Sequence, residues 1–210
     1  ESQDFFTDTK HASHCGGVYG SIIGVSDIDA SLKLYRDILG YDKVLSDETG
    51  VFDDFNHFNS GDKKVRRVLL THSQERKGPF SKLLGSSQIE LVQSLERTDC
   101  QKIFKDRFWG DWGFIHLCFD IQGMDALMNE CETKGFPFTV DSSNSFDMGE
   151  AAGRFSYVED PDGTLIEFVE THKVPVMKKF GWYLNLKNRN PQKRLPNWMI
   201  KTMGLNKFKD

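Results

Sequence analysis

An internal duplication constrains the fold of this chain more than any other feature of its sequence. Val18–Val25 is typical of a strand, and the amphipathic helix that follows it begins after Asp27 and ends at Gly40. Three further runs have the alternation of strands, namely Tyr41–Leu45, Val65–Thr71 and Gln88–Gln93. The first half of the chain therefore predicts a β-α-β-β-β module.

The same order of elements returns in the second half. A strand at Phe114–Phe119 precedes a helix at Met124–Lys134, which Gly135 ends. The three strands predicted after this helix are Phe136–Val140, Gly153–Val158 and Thr164–Glu170. Aligning the two halves places Gly20 opposite His116. We predict an α+β fold in which two βαβββ modules pair and enclose a cleft.

This duplication divides the chain into five segments. They are an N-terminal arm at 1–16, a first module at 17–98, a linker at 99–112, a second module at 113–172 and a C-terminal tail at 173–210. The linker is predicted to include a helix near Gln101–Phe108. The loops at 46–64 and 142–152 shape any pocket, and Asp147 and Met148 lie in the second of them.

The tail differs in charge from the rest of the chain. It holds ten Lys and Arg against one Asp, a net charge of +9, which leaves −13 for residues 1–172. Aromatic side chains such as Trp182 and Trp198 are interleaved with these charges, a pattern typical of a segment that docks on protein. We expect the tail to bind its own acidic body or a second subunit, which allows a homodimer, rather than nucleic acid or a membrane.

The cysteines and the hydropathy pattern indicate a soluble, cytoplasmic protein. The four cysteines are far apart and form no CxxC pair, so neither a zinc knuckle nor a thioredoxin-like motif is predicted. No stretch approaches the roughly 20 apolar residues that a membrane-spanning helix needs. Reduced thiols in a cytoplasm fit these features best.

Strand alternation predicts which ionisable side chains face the cleft. Successive side chains of a strand point to opposite faces, so Glu90, His116 and Glu167 lie opposite the apolar residues that cover the helices. Burying unpaired carboxylates is costly, and a cation would offset that cost. Two structural alternatives stay open: Glu90 as the polar half of an exposed strand, and His116 as a hydrogen-bonded core histidine.

Two motifs resemble those of a known superfamily. The segment Val25–Gly40 and the segment Glu159–Glu167, which contains the Asp-Pro-Asp-Gly turn, are similar to the vicinal oxygen chelate superfamily. That superfamily includes glyoxalase I, bleomycin resistance proteins and extradiol dioxygenases. The resemblance spans residues 17–172 and implies a U-shaped cleft with a divalent metal ion. It places the ligand positions at Gly20, Glu90, His116 and Glu167.

One of these four positions departs from the pattern, because Gly20 has no side chain to offer. Water, substrate, or His11 or His14 of the arm would have to replace the missing ligand. The resemblance implies a Zn, Ni, Mn, Mg or Fe ion held by Glu90, His116 and Glu167.

The leading functional hypothesis is a glyoxalase-like, metal-dependent lyase or isomerase that acts on a small oxygenated substrate. In such an enzyme the ion stabilises an enediolate, and Glu167 or Glu90 is the catalytic base. The alternative is a non-catalytic protein that binds an antibiotic-type small molecule, as bleomycin resistance proteins do. An extradiol dioxygenase ranks third, since it needs two histidines and these positions supply only His116.

Overall fold

The computed structural model describes residues 18–58, 61–108, 110–143 and 152–203. Within these residues the βαβββ order occurs twice, and the chain has the predicted α+β fold. The predictions made for the arm, with His11 and His14, and for Asp147 and Met148 fall outside the described residues.

The first module forms a four-stranded sheet. Its elements are β1 (Gly20–Gly24), α1 (Ile28–Tyr35), β2 (Lys43–Gly50), a 3₁₀ helix (Asp53–Phe55), β3 (Val65–Thr71), the short helix α2 (Ser81–Leu84) and β4 (Gln88–Ser94). The strand order is β1-β4-β3-β2. β1 runs parallel to β4 because α1 carries the chain back across the sheet, and the other pairs are antiparallel.

The second module repeats this topology. Its elements are β5 (His116–Asp120), α3 (Met124–Thr133), β6 (Val140–Asp141), β7 (Ala152–Glu159) and β8 (Leu165–Met177). The strand order is β5-β8-β7-β6, with β5 parallel to β8. The match in both order and direction confirms the predicted duplication.

The two helices begin and end where local chemistry requires it. Asp27 caps α1, since its Oδ1 accepts a hydrogen bond from the Ala30 N–H at 3.0 Å. The chain leaves the helical regions at Gly40 and Gly135, whose φ angles of 76° and 86° suit a residue without Cβ. α1 itself ends at Tyr35, earlier than predicted, and the residues up to Leu39 form turns.

Two predicted elements are wrong in extent or kind. Residues 101–108 form no helix: residues 103–106 are in turns, and Asp106 adopts a φ of 58° that is incompatible with a helix interior. The strand predicted at Phe136–Val140 is reduced to Val140–Asp141. Pro137 has no N–H to donate to a neighbouring strand, and Phe136 and Phe138 pack on the core instead.

Residues of both modules build one hydrophobic core. The largest of its fully buried side chains include Tyr35, Leu91 and Phe168. Tyr35 of α1 donates a hydrogen bond from its hydroxyl to Asp160 Oδ2 of the second module at 2.8 Å. Asp160 also accepts from the N–H groups of Asp162 and Thr164. The Asp-Pro-Asp-Gly turn therefore connects the two modules through Asp160.

The C-terminal segment packs on the chain's own body. β8 continues to Met177, past the predicted boundary at residue 173, and pairs with β9 (Trp182–Asn185); helix α4 (Asn197–Met203) follows. Leu186 and Leu195 are buried in a second cluster that Phe80 of the first module joins. Burying a leucine fully stabilises a fold by about 1.5–3 kcal/mol. Within the described part of the chain, no helix has the length and apolar character to cross a membrane.

Candidate functional site

The predicted alternation of side chains on β4 and β8 is seen in the structure. Ile89 and Leu91 point into the core, and Glu90 between them lies on the opposite face of β4. Ile166 and Phe168 are likewise buried, which places Glu167 on the opposite face of β8. We call the sheet surface that carries Glu90 and Glu167 the cleft face. It is the surface that faces away from α1 and α3.

Arg67 binds Glu90 on this face. Arg67 lies on β3, and its Nε donates to Glu90 Oε1 at 2.5 Å. Its Nη1 also donates to both carboxylate oxygens of Asp54 at 2.8 Å. The hydrogen bond to Glu90 is the main cause that raises the pKa of Arg67. The carboxylate of Glu90 is thus compensated by a permanent cation of the protein itself.

Two phenylalanines flank the same guanidinium. The Cζ atom of Arg67 lies 4.8 Å from the ring centre of Phe52 and 4.7 Å from that of Phe55. Contacts of this kind are cation–π interactions and hold the guanidinium in place. They fix the orientation in which Arg67 reaches Glu90.

The second half of the cleft face holds Glu167 between a histidine and a tyrosine. His116 Nε2 lies 3.0 Å from Glu167 Oε2, and the Tyr157 hydroxyl donates to Glu167 Oε1 at 2.9 Å. Tyr157 is the residue opposite Glu167 in the antiparallel ladder. Desolvation first, and then Glu167, raises the pKa of the Cys118 thiol to about 12. This thiol stays protonated at neutral pH and is therefore a poor nucleophile.

Gly20, the first ligand position implied by the resemblance, has no room for a side chain. Gly20 pairs with Gln88 in the parallel ladder between β1 and β4. A Cβ built on Gly20 would lie 2.4 Å from the Gln88 carbonyl oxygen, which is a backbone atom that cannot move away cheaply. The neighbouring cleft-face residue of β1 is Ile22, and it is 64% exposed. This end of the cleft face therefore offers apolar surface rather than a ligand.

The three predicted metal ligands do not come together. In the described ranges, no three His, Cys, Asp or Glu side chains lie close enough to hold a metal ion. His116 and Glu167 are neighbours, and both are side chains that bind divalent metals, whereas Glu90 is bonded to Arg67. As placed here, the residues do not fit a three-ligand centre.

A cavity of about 400 Å³ opens between the modules at one end of the cleft face. Phe55, which contacts Arg67, is part of its wall. The other apolar side chains of the wall include Phe58, Val65, Val92 and Ile103, and Asp162 and Arg97 contribute charge. A mainly apolar wall with a few polar groups is typical of a small-molecule site.

Sequence reasoning did not find Arg67, Phe55 or Tyr157. The alternation rule contained part of the signal, since Val68 and Val158 point into the core and their neighbours Arg67 and Tyr157 must face the cleft. Phe55 precedes a turn-rich stretch, and periodicity has no information on how such a segment folds. The contact between Phe55 and Arg67 therefore carried no local signal.

Comparison with known proteins agrees with this architecture. The sequence profile of the Glyoxalase/Bleomycin resistance protein/Dioxygenase superfamily matches residues 22–157. The chain belongs to this superfamily. The match contains Glu90 and His116 and covers most of both modules, so the resemblance predicted from the two motifs is confirmed.

The solved structure of a Bacillus cereus protein shows the same fold. A glyoxalase family protein from Bacillus cereus is 14% identical with a TM-score of 0.52, covering 78% of this chain and 98% of that protein. A glyoxalase family protein from Enterococcus faecalis is 18% identical with a TM-score of 0.48, covering 79% and 99%. A search of curated proteins found no match. At this level of identity the similarity concerns the fold and leaves the reaction open.

Proposed function

We propose that this superfamily member binds an uncharged, partly aromatic small molecule at the cleft face, without chemistry at a three-ligand metal centre. The observation that carries the proposal is the hydrogen bond between Arg67 Nε and Glu90 Oε1. A carboxylate held by a guanidinium gains little from a metal ion, since the ion must first displace Arg67. The bleomycin resistance branch of the superfamily name is consistent with a binding role.

The wall of the cavity supports an aromatic ligand. The Arg67 guanidinium lies over the ring of Phe55. Phe55 is also part of the cavity wall, next to Phe58. The rings of Phe55 and Phe58 lie 5.7 Å apart in an edge-to-face arrangement, and aromatic rings pack well against such pairs. Asp162 and Arg97 provide polar groups that orient a ligand.

Fluorescence titration with N-phenyl-1-naphthylamine, a neutral apolar fluorophore, tests this proposal. We expect saturable binding of one equivalent, weakened about fivefold in Phe55→Ala because an aromatic contact contributes about 1 kcal/mol. Phe108→Ala is the matched control, since Phe108 is 84% exposed and stands outside this cavity. Binding that does not saturate, or that weakens equally in both variants, would contradict the proposal.

A metal-dependent lyase or isomerase is the second candidate. The observation in its favour is the 3.0 Å contact between His116 Nε2 and Glu167 Oε2, which places two suitable metal ligands side by side. It requires Glu90 to exchange Arg67 for the metal. Elemental analysis of protein purified without chelators separates the two candidates. One equivalent of divalent metal that is lost in both His116→Ala and Glu167→Gln would favour the enzyme, and metal-free protein would favour the binding function.

A further inference from the structure

A second and larger cavity lies where β3 ends and β4 begins. Its volume is about 610 Å³, and its wall contains residues of the segment after β3, of α2 and of the C-terminal segment. Apart from His72, the wall has no aromatic side chain, and Leu45 is its one large apolar residue. This cavity therefore differs in character from the apolar cavity that Phe55 lines.

Four permanent cations surround this second cavity, namely Lys43, Arg76, Lys82 and Arg194. The one carboxylate in the wall is Glu75, which forms an ion pair with Arg194 at 2.5 Å. Within the part of the chain that the structure describes, no carboxylate forms an ion pair with the other three cations. Cations left without a counter-charge around a cavity attract anions.

Neighbouring polar groups do not cancel this charge. Asp42 lies close by and accepts hydrogen bonds from the Ser73 N–H and hydroxyl groups. Among the described residues it forms no ion pair with any of the four cations of the wall. The pKa of His72 is lowered by burial and then by Arg76, so the imidazole is mainly neutral at neutral pH. Lys82 donates to the uncharged Asn197 Oδ1 at 2.9 Å. The positive charge of the cavity therefore remains.

The C-terminal segment completes this site. The Leu195 side chain is fully buried, and its N–H donates to the Pro79 carbonyl oxygen at 3.0 Å. These contacts fix the neighbouring Arg194, whose Nη2 donates to the Arg76 carbonyl oxygen at 2.9 Å. The two arginines of the wall are thus held next to each other by the packing of the tail on the first module.

We propose that this cavity binds a hydroxylated small molecule carrying two or more phosphate or carboxylate charges. Guanidinium groups form paired hydrogen bonds with both kinds of oxyanion, and lysines add point charges. The hydroxyl groups of Ser73 and Ser81 in the wall already donate to Asp42 and to the Gly78 carbonyl oxygen, and their oxygens can accept hydrogen bonds from the hydroxyl groups of such a molecule. The site is independent of the apolar site of the proposed function, so either one can fail without the other.

The proposal is tested by isothermal titration calorimetry with inorganic pyrophosphate and with citrate. A salt concentration of about 50 mM limits the screening of charges. We expect one equivalent of at least one anion to bind. Arg76→Gln should weaken binding about tenfold, since it removes a charge-assisted hydrogen-bond donor from the wall. Tighter binding of pyrophosphate than of citrate would identify the ligand as a phosphate, and the reverse order as a carboxylate.

Two further variants keep the test decisive. Lys43 and Lys82 have exposed side chains, so the Lys43→Gln/Lys82→Gln double variant should fold like the wild type and also weaken binding severalfold. Lys33→Gln is the control, because it removes the same charge from an exposed position on α1 outside the cavity. Absence of saturable binding, or equal weakening in the control and in the cavity variants, would overturn the proposal.

Discussion

The two modules are alike on the side of their helices and different on the cleft face. In each module an arginine of the third strand joins an aspartate at the start of the helix to an aspartate of the second strand: Arg66 joins Asp29 and Asp47, and Arg154 joins Asp125 and Asp141. Because each arginine connects three elements, it sets the position of the helix on its sheet. The repeated contacts are thus those that build the module.

On the cleft face the equivalent positions hold unlike residues. Leu69 lies opposite Glu90 in the first module, and Tyr157 lies opposite Glu167 in the second. Two residues before them, Arg67 of the first module corresponds to Phe155 of the second. One carboxylate consequently meets the guanidinium of Arg67, and the other meets an imidazole and a phenol. The contacts that hold each helix on its sheet are therefore the same in both modules. The side chains of the cleft face differ, and they surround Glu90 and Glu167 with different chemical groups.

Removing Arg67 should have the largest effect. We expect Arg67→Met to lower the free energy of unfolding by about 2–3 kcal/mol, because Glu90 is left with a half-buried and uncompensated charge. Urea denaturation measures this loss. The Arg67→Met/Glu90→Gln double variant should recover more than half of it. Surface substitutions usually change stability by less than about 0.5 kcal/mol. A loss of that size in the single variant would show that Glu90 does not depend on Arg67, and that the cleft faces of the two modules do not differ in this way.

The stability contributions of the two equivalent arginines, Arg66 and Arg154, can be compared directly. Arg154→Met should cost about 2 kcal/mol and Arg66→Met about 1 kcal/mol, since the side chain of Arg154 is 10% exposed and that of Arg66 is 25% exposed. Thermal or urea unfolding of both variants gives the comparison. The reverse order of the two losses would show that burial does not govern these contacts.

A third test concerns the buried residues at equivalent positions of the two helices, Tyr35 in α1 and Cys131 in α3. Tyr35→Phe removes the hydroxyl that bonds Asp160 and should cost about 1–1.5 kcal/mol in the free energy of unfolding. Cys131→Ser is the paired variant, and it puts a hydroxyl in the core. An unchanged stability of Tyr35→Phe would mean that the Asp160 turn does not connect the modules energetically.

The smallest expected effect is a pH-dependent gain at Asp120, whose counterpart in the first module is Gly24. Burial, and then Glu170, raises the pKa of Asp120 to about 6. A raised pKa in the folded state means that this group's contribution to stability is present near pH 4 and is lost as the pH rises through 6. Asp120→Asn should therefore be more stable than the wild type by about 1 kcal/mol at pH 7.5 and equal to it near pH 4. Urea unfolding at both pH values checks this, and a gain that persists at pH 4 would rule out ionisation as its cause.

Much of the scaffold was predictable from local signals. β3 spans the predicted residues Val65–Thr71, and Asp27 caps α1 as expected. Alternation also placed Glu90 and Glu167 on the face away from the helices. These features depend on residues close together in the sequence, so periodicity and capping rules report them well.

The rest depended on contacts between distant segments. Glu90 acquires its partner only after β3 and the 3₁₀ helix fold against it, and no local pattern indicates that contact. The helix expected in residues 101–108 is replaced by turns, in which Ile103 donates its N–H to the Asp162 carbonyl oxygen of the second module. The short elements β9 and α4 form on a surface that the two modules provide. Tertiary packing therefore overrode local propensity at these places.

The most direct test of this account is a titration of Zn²⁺ into the wild type and into Glu90→Gln, followed by calorimetry. Glu90 is bound to Arg67 and belongs to no metal-binding cluster of the described residues, so we expect Zn²⁺ binding, whether weak or absent, to be the same in both proteins. Stoichiometric binding by the wild type that falls about tenfold or more in Glu90→Gln would contradict it, since a carboxylate ligand would then have been lost.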